Sequence, residues 1–175
     1  MKKITNITEL KDGMKVIPLT KGKYAIVDDE DYERLNEWKW HFNNGYAKRG
    51  IWDGKRKKVN HVIMHRLIIN APLNCFVDHK NHDRLDNRKC NLRVCTPQEN
   101  QFNQKPRNKT SKYKGLFYHK LNKKWIVQIQ KDNKKIHVGS FAIEAEAAIA
   151  YNIAARNLFG EFAYLNNIDS LTPIN

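Results

Sequence analysis

Asp78 and His79 stand side by side at the head of a polar stretch, VDHKNHDRLDNRKCNLRVCTPQENQFN (residues 77–103), with Asn91 and Asn100 further along it. Residues of these types can cut a phosphodiester. Hydrolysis needs a base to activate water, an ion to neutralise charge on the phosphate and leaving oxygen, and a group that keeps the base oriented. His79, with an ordinary imidazole pKa of about 6.5, is able to take a proton from water near neutral pH. Asp78, beside it on an extended strand, points locally to the other face, yet a twisted strand end can aim its carboxylate at an ion near the histidine. Asn100 offers a second oxygen. Hard oxygen donors with room for water and phosphate suit Mg²⁺ or Mn²⁺, one ion per site. The three cysteines, Cys75, Cys90 and Cys95, contain no Cys-x-x-Cys pair, so no structural zinc is expected and they read as buried thiols.

The elements that must position these residues follow from the local pattern. An apolar residue, Val77, leads into Asp78-His79, a loop rich in Asn, Asp and Arg follows, and Asn91-Leu92-Arg93-Val94 resumes a strand. Thr96-Pro97-Gln98-Glu99 is a capping box with proline at the first helical position, which starts a helix carrying Glu99, Asn100 and Asn103. Upstream, residues 14–27 hold two apolar runs around Lys21-Gly22-Lys23 and predict two strands. Asp28 is placed to cap a short helix whose Tyr32, Leu35 and Trp38 form one core stripe. Asn44-Gly45 predicts a two-residue hairpin, a second turn is expected at Asp53-Gly54, and residues 62–69 suit a short buried helix ending before Pro72. The basic meander between those turns and that helix is either a phosphate contact or a solvated face.

Residues 77–103 resemble the HNH, or ββα-metal, nuclease motif, in particular its phage and intron-encoded homing-endonuclease branch, where asparagine replaces the final histidine. In that family an Asp-His pair begins the motif, an Asn-Leu pair follows twelve residues after the histidine and an Asn sits nine further on; Asp78, His79, Asn91 and Asn100 stand at that spacing. The resemblance implies that His79 is the general base, that Asp78 and Asn100 bind the metal, and that Asn91 fixes the loop and helps hold His79. Asp86-Asn87-Arg88 and the upstream His65-Arg66 are also typical of this branch. Arg66, Arg88 and Arg93 are candidates to grip phosphates, or else partners of local carboxylates.

Thirty-two Lys plus Arg against 18 Asp plus Glu give a formal net charge of +14, which favours a polyanion such as double-stranded DNA; an anionic membrane surface is the weaker option. No run approaches a membrane-spanning length of about 18 apolar residues, and Met1–Ile17 lacks a secretory h-region, so an intracellular protein without an obligatory protein partner is expected.

Residues 104–112 lack large apolar groups and read as a basic linker. Beyond it, Gly115–His119, Trp125–Lys131 and Lys134–Phe141 alternate as three strands, and a helix runs from about Glu144 to Leu158, stopped by Gly160. Leu116, Tyr118, Trp125, Val127, Ile129, Ile136 and Val138 fall on a core face, against which Ala145, Ala148, Ile149 and Ala155 bring the helix. Lys114-Gly115-Leu116, the strand around Trp125–Ile129, His137–Phe141 and the alanine-rich helix resemble the APETALA/ethylene-response-factor domain. By that resemblance the sheet lies in the major groove, with Lys114, Phe117, His119, Gln128, Gln130, Lys135 and His137 facing DNA. Phe117, Gln130 and His137 depart from the arginines and tryptophan of the plant domains, so the target sequence does not transfer.

The expected fold class is α+β. A nuclease domain over residues 1–103 contains mixed strands, short helices and the ββα-metal motif; the 104–112 linker, a 113–166 reading domain with three antiparallel strands on one helix, and a 167–175 tail complete it. The expected function is metal-dependent, site-directed DNA cleavage. Its rival is a noncatalytic DNA-binding regulator that retains the same scaffold.

Overall fold

A computed structural model describes residues 13–106 and 110–168. The expectations for residues 1–12, the middle of the 104–112 linker and the end of the tail lie outside the described residues. The fold is α+β, with four small antiparallel sheets and four α-helices among the described residues. Two compact units divide at Pro97 and Gln98, which places the boundary inside the 77–103 segment and ahead of the expected linker.

In the first unit, β1 (Met14–Leu19) pairs antiparallel with β2 (Lys23–Asp28), and Lys21 at φ 62° and Gly22 at φ 61° close the turn between them. Alternation buries Ile17 and Leu19 on one strand and Ala25 and Val27 on the other. Helix α1 (Asp29–Asn36) drops Leu35 into this core. Two expectations fail here. Asp28 does not cap α1; its carboxylate accepts the Lys89 backbone N–H at 2.7 Å, a long-range tie that competes with local capping. Trp38, expected in the core, lies beyond the end of α1 and is 48% exposed, with the Arg49 guanidinium 3.9 Å from its ring centroid; Trp40 fills the core instead.

A three-stranded meander follows, β3 (His41–Asn43), β4 (Tyr46–Asp53) and β5 (Lys58–Ile63), in the order β3-β4-β5. Asn44 at φ 49° and Gly45 at φ 87° make the tight turn that an Asn-Gly pair favours. The helix expected over 62–69 is shorter, α2 (Met64–Ile68), because Val62 and Ile63 remain in β5, paired with Arg49 and Lys48. Then β6 (Phe76–His79) pairs antiparallel with β7 (Leu92–Cys95), and α3 (Pro97–Phe102) begins two residues later. Of the three cysteines only Cys95 is buried; Cys75 is half-buried and Cys90 exposed, since Cys90 falls in a 3₁₀ turn outside β7.

The second unit contains β8 (Leu116–His119), β9 (Lys124–Lys131) and β10 (Lys134–Phe141), ordered β10-β9-β8, with α4 (Glu144–Phe159) across one face. Leu116, Val127 and Ile129 meet Ala147, Ala148, Tyr151, Ala155 and Phe159 in one core. Small residues allow the close approach, but the helix is rotated from the expected face, so Ile149 is exposed. Tyr118 and Ile136, also assigned to the core face, are 40% and 38% exposed. Gly115 is required where it stands: its φ is +79°, and a Cβ would lie 2.2 Å from the Tyr151 ring. No helix among the described residues is long and apolar enough to cross a membrane.

Candidate active site

Cross-strand register assembles the first part of the site. Asp78 sits opposite Arg93 and His79 opposite Leu92, so the Asp78 and Arg93 side chains share one sheet face. Arg93 donates from Nε at 2.9 Å and Nη2 at 2.6 Å to Asp78 Oδ2. Both side chains are nearly buried, at 10% and 8% exposure, where a charge needs a partner.

The loop joining β6 to β7 is tied by its own side chains. Asn81 Oδ1 accepts the Asp83 N–H and Asp83 Oδ1 the Leu85 N–H, two side-chain turns of the kind Asn and Asp favour. Asn91 bridges the ends: its Nδ2 donates to the Asp86 carbonyl at 2.8 Å and its Oδ1 accepts the Asn81 N–H at 3.0 Å. Arg88 forks onto both oxygens of buried Asp86, Nε to Oδ1 at 2.7 Å and Nη2 to Oδ2 at 2.6 Å, while Asn81 Nδ2 donates to Oδ2. Backbone bonds from Ile26 to Leu85 and from Asn87 to Ile26 fasten the loop to β2. Burial pushes the Asp86 carboxyl up, but the Arg88 hydrogen bonds and charge prevail and hold it below the ordinary value.

His79 is 5% exposed and is met by two rings that sequence spacing does not reveal. His65, from α2, stands edge to face with it at 4.9 Å between centroids and 89° between planes; Tyr46, from β4, lies 5.2 Å from His65 and 6.2 Å from His79. Arg84 stacks over Tyr46 at 4.8 Å. Burial lowers the pKa of His79, against an opposing pull from the Asn87 amide and the Asp78, Asp83 and Asp86 carboxylates. Burial, followed by repulsion from His79 when that ring is protonated and from the Arg66 and Lys48 charges, lowers His65 to about 3. The environment therefore favours two neutral imidazoles, and a neutral imidazole carries a lone pair that can receive a proton. Nδ1 of His65 is buried without a hydrogen-bond partner.

The structure engages all three candidate arginines within the first unit. Arg88 and Arg93 hold Asp86 and Asp78, and Arg66 donates to the carbonyls of Cys75, Ala71 and Pro72. Asn100 lies half-buried on α3, in the segment that belongs to the second unit. No group of three or more His, Cys, Asp or Glu side chains among the described residues is placed to hold a metal. The Asp78 carboxylate by itself has the donor chemistry of an ion such as Mg²⁺, which keeps several waters and takes one or two protein ligands.

In the second unit, β9–β10 pairing sets Gln128 opposite His137 and Gln130 opposite Lys135, and β8–β9 pairing sets Phe117 opposite Ile126 and His119 opposite Lys124. Phe117, His119, Gln128, Gln130, Lys135 and His137 thus share the face turned from α4. Lys114 differs: its ammonium donates to the carbonyls of Phe102 and Gln104 at 2.6 and 2.8 Å, and burial lowers its pKa to about 8.

A family model described as HNH endonuclease matches residues 70–102. An uncharacterized HNH endonuclease of Acanthamoeba polyphaga mimivirus is 33% identical over 160 residues, 85% of this chain and 78% of that protein. Two plant proteins resemble part of the C-terminal region. The dehydration-responsive element-binding protein 2E of Oryza sativa subsp. japonica is 41% identical over 63 residues, 35% of this chain and 20% of the relative. The dehydration-responsive element-binding protein 2D of Arabidopsis thaliana is 38% identical over 68 residues, 38% of this chain and 32% of the relative. No solved structure matches the chain.

Proposed function

Because the chain belongs to the HNH endonuclease family, we propose that it is a metal-dependent, site-directed DNA endonuclease of the homing type, with His79 as the general base. One observation carries this reading: within the matched segment, His79 is a buried imidazole whose surroundings favour the neutral form a base requires.

In this reading β6, β7 and α3 form the ββα-metal motif. By the family resemblance Asp78 and Asn100 would be the residues to hold one Mg²⁺ or Mn²⁺ ion, which would supply positive charge to the phosphate and leaving oxygen. The protein's own part is orientation. His65 and Tyr46 confine the plane of His79, and Asn91 closes the loop that follows it. Arg93 steadies the Asp78 carboxylate, leaving the imidazole to accept the proton of an attacking water.

The face bearing Phe117, His119, Gln128, Gln130, Lys135 and His137 is the proposed reading surface for the major groove, where paired amides and cations can address base edges. The plant relatives are, by name, dehydration-responsive element-binding proteins, which supports a recognition role for this sheet. Lys114 would act beneath it by fixing the backbone after α3.

Incubation of the full chain with supercoiled plasmid in Mg²⁺, with sequencing of the resulting ends, tests the proposal. Nicks or cuts that recur at one sequence and stop in EDTA support it. Duplex binding without cleavage in Mg²⁺ or Mn²⁺ leaves the noncatalytic regulator in its place.

A further inference from the structure

Strands β4 and β5 continue well past the core they help to build. Ala47 is buried, but from Gly50 to His61 every residue except Asp53 is exposed. This ribbon is ordered by its own bonds. Asp53 Oδ1 accepts the backbone N–H groups of Lys55 and Arg56, and its Oδ2 accepts from Asn60 Nδ2, while Lys57 takes φ 47° to close the turn.

Two features at its end call for a partner. Lys55, Arg56, Lys57 and Lys58 place four cations beside the single carboxylate of Asp53, which Arg56 Nε approaches only to 3.9 Å. Trp52 is 64% exposed, and Val59, 49% exposed, lies directly opposite it on the same face of the ribbon. A lone exposed apolar residue needs no explanation, but a tryptophan and a valine facing each other across a hairpin forfeit burial together. The opening on this face is also particular: Gly50 leaves space that Val59 fills, since a Cβ there would lie 2.7 Å from Val59 Cγ1.

We propose that the β4–β5 hairpin is a second DNA-gripping arm, in which Lys55, Arg56, Lys57 and Lys58 take backbone phosphates and Trp52 wedges against the bases of the duplex. The inference rests on DNA being the partner, as proposed above. A two-stranded ribbon has the width that a DNA groove admits, and apolar side chains can enter and partly unstack a base step. Phosphate contacts and aromatic stacking leave different thermodynamic marks, because only the former release condensed counterions.

The experiment measures binding of the full-length chain, in EDTA, to a fluorescent duplex of about 30 base pairs across roughly 50 to 200 mM KCl. The Arg56→Ala/Lys57→Ala variant should reduce the slope of log K against log salt by about 1.8, since each phosphate that a side chain neutralises contributes about 0.9. Trp52→Ala should weaken binding about tenfold with the slope unchanged, and Trp52→Phe should recover most of the loss. In protein labelled with 5-fluorotryptophan, the ¹⁹F resonance of Trp52 should shift on adding duplex.

Wild-type affinity and slope in both variants, with an unmoved Trp52 resonance, would overturn the arm while leaving DNA as the partner. Failure of the unmodified chain to bind any duplex would sink the DNA reading itself. Trp52-dependent self-association, or Trp52-dependent binding to phosphatidylserine vesicles without an effect on DNA, would also overturn the assignment.

Discussion

Replacing Arg88 by alanine should destabilise the first unit in a pH-dependent way. Arg88 contributes two short bonds to Asp86, whose side chain is 4% exposed while that of Arg88 is 24% exposed. Removing one member of a buried ion pair costs about 3–5 kcal/mol; the partial exposure of Arg88 and the remaining Asn81 donor place this case near 3 kcal/mol. The sign with pH follows from linkage. In the wild type the Asp86 pKa is depressed, so its contribution is present above the unfolded value of about 3.9 and disappears as pH falls through the lower folded value. In Arg88→Ala, burial raises that pKa, so the deficit is full at neutral pH and shrinks on acidification as Asp86 takes a proton. Urea unfolding read from amide NMR signals of the first unit measures this separately from the second unit, which need not unfold with it. A deficit under about 1 kcal/mol, or one unchanged between pH 7 and pH 4, would refute the assigned ion pair.

Three further outcomes are expected. With its pKa lowered to about 3, His65 makes the fold lose stability as pH drops below the unfolded value of about 6.5, by at most about 1.4 kcal/mol per pH unit, and His65→Phe should flatten that slope in pH-dependent urea titrations. Gly115→Ala should cost more than about 2 kcal/mol, because a left-handed backbone and the Tyr151 ring both oppose a Cβ, and a thermal melt of the second unit would show it. Mg²⁺ should raise the melting temperature of the wild type but not of Asp78→Asn/Asn100→Ala, with about 2.7 kcal/mol gained at a hundredfold excess over Kd; equal shifts in both would remove these residues as ligands.

Much of this fold is legible in local pattern. Asn44-Gly45 marks its hairpin through backbone conformations that few other residues tolerate, and alternation marks β9, whereas β10 breaks its alternation at the irregularity between His137 and Gly139. Long-range ties are not legible. Asp28 has the residue type of a helix cap, but Lys89 competes for its carboxylate from 61 positions away. Trp38 fits the periodic stripe of α1, yet the chain turns before it and Trp40 donates its indole N–H to the Leu35 carbonyl inside the core. The candidate site divides in the same way. Asp78, His79, Asn91 and Asn100 stand out by spacing within one segment, whereas Tyr46 and His65 reach His79 only through the packing of β4 and α2. The upstream His65-Arg66 pair is the one sequence signal that could have pointed to His65, and nothing in the pattern around Asn44-Gly45 distinguishes Tyr46 from a core aromatic.

The most direct measurement is single-turnover cleavage of duplex DNA in Mg²⁺ by the wild type and His79→Ala, with binding of the same duplex followed in EDTA. A general base predicts that the variant binds with wild-type affinity and cuts at least about a hundredfold more slowly. Wild-type cutting by a folded His79→Ala protein would contradict the central assignment.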